Sequence, residues 1–135
     1  MPLINWDVSL SVGVKEIDAQ HQKLIELLNE LFDVMHSDEA KNKMNEIVGR
    51  LNDYVIFHFT NEENYFEKFN YKNKDVHIKQ HETYKEKIIE FNKMATENNT
   101  MLPYEVLDFL ENWILGHIST EDKKYTKCFK ENGLN

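Results

Sequence analysis

Cysteine, proline and glycine are all scarce in this chain. The single cysteine, Cys128, cannot close an internal disulfide, which sets aside disulfide-stapled folds and fits a reducing cytoplasm. Two prolines and four glycines among 135 residues exclude collagen-like and Pro/Gly-rich disordered chains. Positive charge is also in deficit: 16 Lys and Arg face 24 Asp and Glu, a formal net charge of −8. Phosphate binding needs a clustered basic surface, so nucleic acid is not an expected partner. No stretch approaches the roughly 18 uninterrupted apolar residues of a membrane helix, so no membrane association is expected. The opening residues Met1 to Asp7 have no cationic start followed by an apolar run and do not read as a signal peptide. With 41% hydrophobic and 30% charged residues, the chain can bury one core, and the expectation is one cytoplasmic, helix-rich domain over residues 1–135.

What is present is helical periodicity. Residues 1–17, with Trp6 and Gly13, look like an extended arm, and Asp18 stands where an N-cap would. Over residues 19–36, His21, Leu24, Ile25, Leu28, Leu31, Phe32 and Met35 recur at steps of three and four. After the polar break Ser37-Asp38-Glu39, residues 40–69 keep Met44, Ile47, Val48, Leu51, Val55, His58, Glu62, Tyr65, Phe66 and Phe69 in phase. Residues 75–97 align His77, His81, Tyr84, Ile88, Phe91 and Ala95, and residues 104–129 align Val106, Leu110, Trp113, Ile114, His117, Ile118 and Tyr125. Four amphipathic helices with short polar links predict an all-α, up-down-up-down antiparallel four-helix bundle with an N-terminal arm.

Such bundles normally fill their inward stripes with aliphatic and aromatic residues. Here five of six histidines, His21, His58, His77, His81 and His117, fall on or beside those stripes, at least one per helix. Each alone would pass as a core histidine satisfied by a hydrogen bond, and His58/Glu62 or His77/His81 alone as ordinary i, i+4 pairs on a helix face. Together, five imidazoles and two carboxylates in one core are costly without a compensating cation, and neutral imidazole and carboxylate are metal ligands. Their positions along helices of alternating direction also put them toward the same end of the bundle. His36 lies at the opposite end and is expected to take no ligand role.

The ordered set His21, His58-x-x-x-Glu62, His77-x-x-x-His81 and His117-x-x-x-x-Asp122 closely resembles the hemerythrin motif. Trp6 in the arm, Ile17-Asp18-x-x-His21, and Trp113 before His117-Ile118 add to the likeness, whereas no Glu-x-x-His pair of the ferritin-like di-iron proteins occurs. The resemblance implies a non-heme di-iron centre. One iron takes His77, His81 and His117, and the other takes His21 and His58. Glu62, Asp122 and a solvent-derived oxo or hydroxo group bridge them. It further implies one open position, on the two-histidine iron, where dioxygen binds reversibly for storage, transport or delivery. No catalytic residue follows from it.

Candidate walls for the oxygen pocket are Ile25, Phe59, Trp113, Ile114 and Ile118, each equally readable as plain core. An oxygen-using enzyme is a possible recipient and a monomer is expected. The alternatives are oxygen or redox sensing through a partner protein, or peroxide or nitric oxide turnover at the same irons, and zinc stays open on ligand type alone.

One spacing does not suit an ideal helix. His117 and Asp122 are five residues apart, about 140° in phase at 3.6 residues per turn, and Glu121 would point more nearly with His117. Either Glu121 is the bridge, or the helix widens between Gly116 and Asp122; the family pattern favours Asp122 and predicts the irregularity. Cys128, late in the last helix, reads as a buried structural thiol, with an intermolecular disulfide as the lesser alternative.

Overall fold

The computed structural model describes residues 3–35 and 40–135, the side chains of residues 40–42 excepted. Four antiparallel helical segments pack as a bundle: α1 (Lys15–Met35), α2 (Ala40–Lys68), α3 (Lys74–Thr96) and α4 (Leu102–Asn112) with its continuation. That continuation is a π-helix over Trp113–Glu121, a 3₁₀ turn over Asp122–Tyr125 and a short α5 (Thr126–Glu131). Among the described residues there is no strand. Helix α2 packs on α1 and α3, and α4 closes the bundle against α1 and α3. The expected link at residues 37–39, and His36 beside it, lie outside the described residues.

Three helix ends share one stop. Asn70 and Asn98 both sit at φ 52° and Gly133 at φ 88°. In each, the following N–H reaches back five residues, as from Tyr71 to Phe66 O at 2.9 Å, Asn99 to Met94 O at 3.0 Å and Leu134 to Phe129 O at 2.9 Å. This is the Schellman arrangement, in which a left-handed residue lets the chain satisfy its last carbonyls. Asparagine serves at two of them because its side chain tolerates that region better than most. Pro103, in the first turn of α4, marks the other boundary expected there.

The first helix begins earlier than Asp18 predicts. Residues 15–17 are helical, so the arm is shorter than 1–17 and Asp18 is inside the first turn rather than capping it. Its carboxylate instead turns back to the preceding loop, accepting from Val12 N–H at 2.8 Å and Ser11 Oγ–H at 2.5 Å. Gly13, at φ 76°, makes the turn into the helix. Val12, Val14 and Ile17 are buried in a cluster with Phe66, Tyr71, Tyr125 and Phe129, which anchors that turn. Further out, Asn29 of α1 binds the arm by accepting from Leu3 and Ile4 N–H and donating to Ile4 O, at 2.8–3.0 Å.

The apolar interior is therefore in two parts. A long cluster from Leu24 to Leu110 and Ile118 fills most of the bundle, and the smaller aromatic cluster just described closes one end. On α1 and α4 the transition is visible in the sequence order: Ile17, His21, Leu24 on one helix, and Ile118, Asp122, Tyr125 on the other. The polar residues lie at the seam between the two.

Candidate metal centre

Seven buried polar side chains meet at that seam. His21, His58, Glu62, His77, His81 and Asp122 are completely buried and His117 is 4% exposed. Helix α1 contributes His21, α2 contributes His58 and Glu62, and α3 contributes His77 and His81. The π-helical continuation of α4 supplies His117, and Asp122 follows at its end. All seven residues singled out from the sequence are thus brought together, each histidine turning Nε2 inward.

The cluster divides into two groups of four that share one member. His77, His81, His117 and Asp122 form one; His21, His58, Glu62 and Asp122 form the other, the candidate ligand atoms of each lying within 4.8 Å of one another. Asp122 spans them with separate oxygens: Oδ1 is 2.9 Å from His77 Nε2 and 3.0 Å from His117 Nε2, and Oδ2 is 3.1 Å from His21 Nε2. Glu62 Oε1 also faces both groups, 3.1 Å from His58 Nε2 and 3.4 Å from His81 Nε2.

These contacts are short but do not satisfy the atoms that make them. Both oxygens of Glu62, both of Asp122 and Nε2 of His81 are buried without a hydrogen-bond partner of acceptable geometry. His58 Nδ1 lies 2.6 Å from Gln20 Oε1, and His81 Nδ1 lies 2.9 Å from Glu63 Oε2. Each of those nitrogens must donate, so in the neutral ring the inward Nε2 offers only a lone pair. Lone pairs and anionic oxygens then converge about 3 Å apart, which is the spacing of neighbouring ligands around an octahedral cation with bonds of ~2.1 Å. The donor set fits a cation.

Without one, the charges redistribute. Burial works against ionising Glu62, as does Asp122, yet the imidazoles of His58 and His81 close against it hold its carboxyl below the ordinary range. Burial likewise opposes Asp122, and His117, His21 and His77 outweigh it, holding it well below its ordinary value. Burial pushes the His58 imidazolium down. Burial also disfavours the His81 imidazolium, but the nearby Glu62 carboxylate and the bond to Glu63 win and carry it up to about 9.

The π-helix answers the spacing problem. Asp122 N–H donates to His117 O, an i→i+5 bond that brings residues five apart to one side. The irregularity is longer than expected, beginning at Trp113. Ser119 and Thr120 hydroxyls donate to the carbonyls of Leu115 and Gly116, taking up acceptors along the widened ladder. Glu121, the other candidate, turns away from the cluster and pairs with Lys124 at 2.9 Å.

The expected pocket walls Ile25, Phe59, Trp113, Ile114 and Ile118 are all buried in the long apolar cluster. Phe59 is against the site itself, stacked on His81 with ring centroids 3.7 Å apart and 5.1 Å from Trp113. Several flanking residues carried no role in the sequence: Gln20, Tyr54, Glu63, Phe66, Tyr84 and Tyr125. Tyr54 stacks on His58 at 5.3 Å and donates to Gln20 O at 2.7 Å. Phe66 lies 4.9 Å from His77 and Tyr84 5.2 Å from His117. Burial, then Glu62 and Asp122, push the Tyr125 phenol well above its ordinary range, so it stays protonated. Gln20 and Glu63 adjoin candidate ligands in sequence, which was the available signal for them. Cys128 is only partly buried, its Sγ 3.9 Å from Phe69 O.

The model of the hemerythrin HHE cation binding domain matches residues 12–128. A bacteriohemerythrin from Clostridium acetobutylicum is 30% identical over 124 residues, covering 89% of this chain and 96% of that protein. A hemerythrin-like protein from Naegleria gruberi is 31% identical over 121 residues, 90% of this chain and 89% of the relative. Among solved structures, wild-type hemerythrin superposes with a TM-score of 0.85 at 24% identity, over 93% of this chain and 97% of that one. The fold, the buried histidine–carboxylate cluster and the match over most of the sequence agree: the chain belongs to the hemerythrin family.

Proposed function

We propose that the cluster holds two iron ions and binds dioxygen reversibly, as a carrier or store rather than an enzyme. The observation that supports this most directly is the shared Asp122, whose two oxygens face different histidine groups while Glu62 spans the same gap. A cluster built for one metal would have no use for two spanning carboxylates. In this reading His77, His81 and His117 hold one iron, His21 and His58 hold the other, and Glu62 and Asp122 bridge. A ferrous pair can supply two electrons to dioxygen and recover them on its release.

The chain's own residues set the conditions for that exchange. The two-histidine side has one imidazole fewer, so the open position belongs there. Buried apolar walls, Ile25, Phe59, Trp113, Ile114 and Ile118, limit entry of water and protons and so favour release over irreversible oxidation. Glu62 and Asp122 lie in the same low-dielectric interior, where a carboxylate is anionic only against opposing positive charge, and two cations provide it.

The test is a visible absorption spectrum of the reduced, iron-loaded protein under nitrogen, after oxygen, and after oxygen is removed. A charge-transfer band that appears with oxygen and disappears with it supports the carrier. A band that decays to a stable ferric spectrum points to sensing through a partner. Steady consumption of excess peroxide or nitric oxide points to an enzyme.

A further inference from the structure

The two sides of the cluster are supported by different chemistry. Among the described residues, two of the five inward-facing histidines have a side-chain acceptor on the outer nitrogen: His58 on the Gln20 amide at 2.6 Å and His81 on the Glu63 carboxylate at 2.9 Å. The outer nitrogens of His21 and His77 are buried without a partner. Glu62 and Glu63 are consecutive on α2 and point about 100° apart around the helix. Glu62 Oε1 lies 3.4 Å from Nε2 of His81 and Glu63 accepts from its Nδ1, so the two carboxylates flank the ring from the same turn. Glu63 has 22% of its side chain exposed, and Lys85 Nζ stands 4.0 Å from its Oε2, too far for a tight lysine ion pair.

We propose that Glu63 is a positioning residue that makes the metal held by His77, His81 and His117 the more easily oxidised of the pair; this rests on the di-iron reading above. The Nδ1–H···carboxylate bond fixes the tautomer of His81 and draws its N–H proton outward, which concentrates negative charge on Nε2. A more basic nitrogen stabilises a ferric ion over a ferrous one. The Gln20 amide fixes the tautomer of His58 in the same way without adding charge. The consequence is an unequal pair in which the coordinatively complete side is biased toward Fe(III), leaving the open side to meet dioxygen.

The variant is Glu63→Gln, which keeps an acceptor at the same reach and removes the charge. Three measurements are made on it beside the unaltered chain: iron per chain, midpoint potential by anaerobic titration, and, in the zinc-loaded form, the ¹H shift of the His81 Nδ1 proton. The expected result is two irons per chain and a potential raised by ~59 mV for each tenfold loss of ferric preference in a one-electron couple. A loss of about tenfold is the lower end of outer-shell effects. The His81 proton moves upfield in the variant.

Two irons with an unchanged potential and an unchanged His81 proton would overturn the proposal while leaving the di-iron reading intact. Fewer than two metals in the unaltered chain would overturn the reading itself. If the variant loads poorly, the zinc-loaded unaltered chain still decides: the His81 Nδ1 proton must lie downfield of those of His21 and His77, whose outer nitrogens have no partner, and a shift no further downfield than theirs sinks the idea.

Discussion

On α2 and α3 the inward polar residues come four apart, His58 with Glu62 and His77 with His81, and both helices stay regular. On α4 they come five apart, His117 with Asp122, and the helix widens into nine residues of π-helix before tightening to 3₁₀. The bundle demands the same thing of all three: two side chains aimed at one point. Four residues turn a 3.6-residue helix through about 40° beyond a full turn, whereas five overshoot by about 140°. Where spacing and period agree, the backbone is undisturbed; where they disagree, the hydrogen-bond ladder shifts register. The side-chain requirement overrides the local preference for α-helix because it is backed by a buried carboxylate and a buried imidazole, while a shifted ladder costs only poorer geometry in a few bonds.

The sharpest way to break the comparison is to exchange the roles of neighbours on α4. Asp122→Ala should abolish stable binding of two metals, and Glu121→Ala should leave metal content unchanged, read by elemental analysis after gel filtration. Retained stoichiometry in the first, with loss in the second, would mean the widened turn does not serve Asp122.

Next in size is removal of the metal itself. A ligand present at 1,000 times its dissociation constant stabilises by ~4 kcal/mol, so chelation should lower the melting temperature by roughly 10–15 °C, seen by calorimetry. Added metal should restore it. An identical melting temperature with and without chelator would show that the buried charges are balanced some other way.

Acidity separates the two forms. In the metal-free chain His81 keeps its proton up to about 9 against an ordinary value of 6.5, so the stability this brings is full below 6.5 and is lost as pH rises through 9. His58, pushed down by burial, acts in the other direction, costing stability as pH falls below 6.5. Metal-free stability should therefore peak near pH 6.5. The loaded chain should instead gain up to pH 8 or above, because protons compete with metal for the same nitrogens. Thermal melts across this range, with and without metal, test both trends.

The smallest effects lie in the widened segment's own backbone. Ser119→Ala with Thr120→Ala should change stability by less than ~1 kcal/mol, because both hydrogen bonds are exposed and the carbonyls of Leu115 and Gly116 can take water instead. Gly116→Ala, where an added Cβ meets nothing within 4 Å, should stabilise by ~0.5–1 kcal/mol with metal content unchanged.

Periodicity made the bundle legible because its helices each carry a stripe at 3.6 spacing, and the site was legible because five histidines interrupt those stripes. The early start of α1 was not, since Asp18 looks the same whether it caps a helix or reaches back from its first turn. What decides is the burial of Val14 and Ile17 against aromatic residues more than forty positions away. Glu63 and Gln20 were hidden for a related reason: a charged or polar residue on a helix flank is ordinary until the neighbouring helix is known to place a ring nitrogen against it. The π-helix could be anticipated from one spacing, but its extent back to Trp113 could not.

The order of the seven residues along the chain has a consequence for assembly. The α2–α3 hairpin carries four of them within 24 residues, His58 to His81, and is complete while the last third of the chain is still to be made. His21 waits from the beginning, and His117 and Asp122 arrive near the end. On the di-iron reading, a cation held by those four residues alone would keep water on its remaining faces and exchange freely. Only when α4 docks, with Thr126 bonded to Val12 O across 114 residues, does the cage shut. On the di-iron reading, metal retention would depend on the docked segment from His117 to Asp122, and a chain cut before it should lose bound metal, read by elemental analysis.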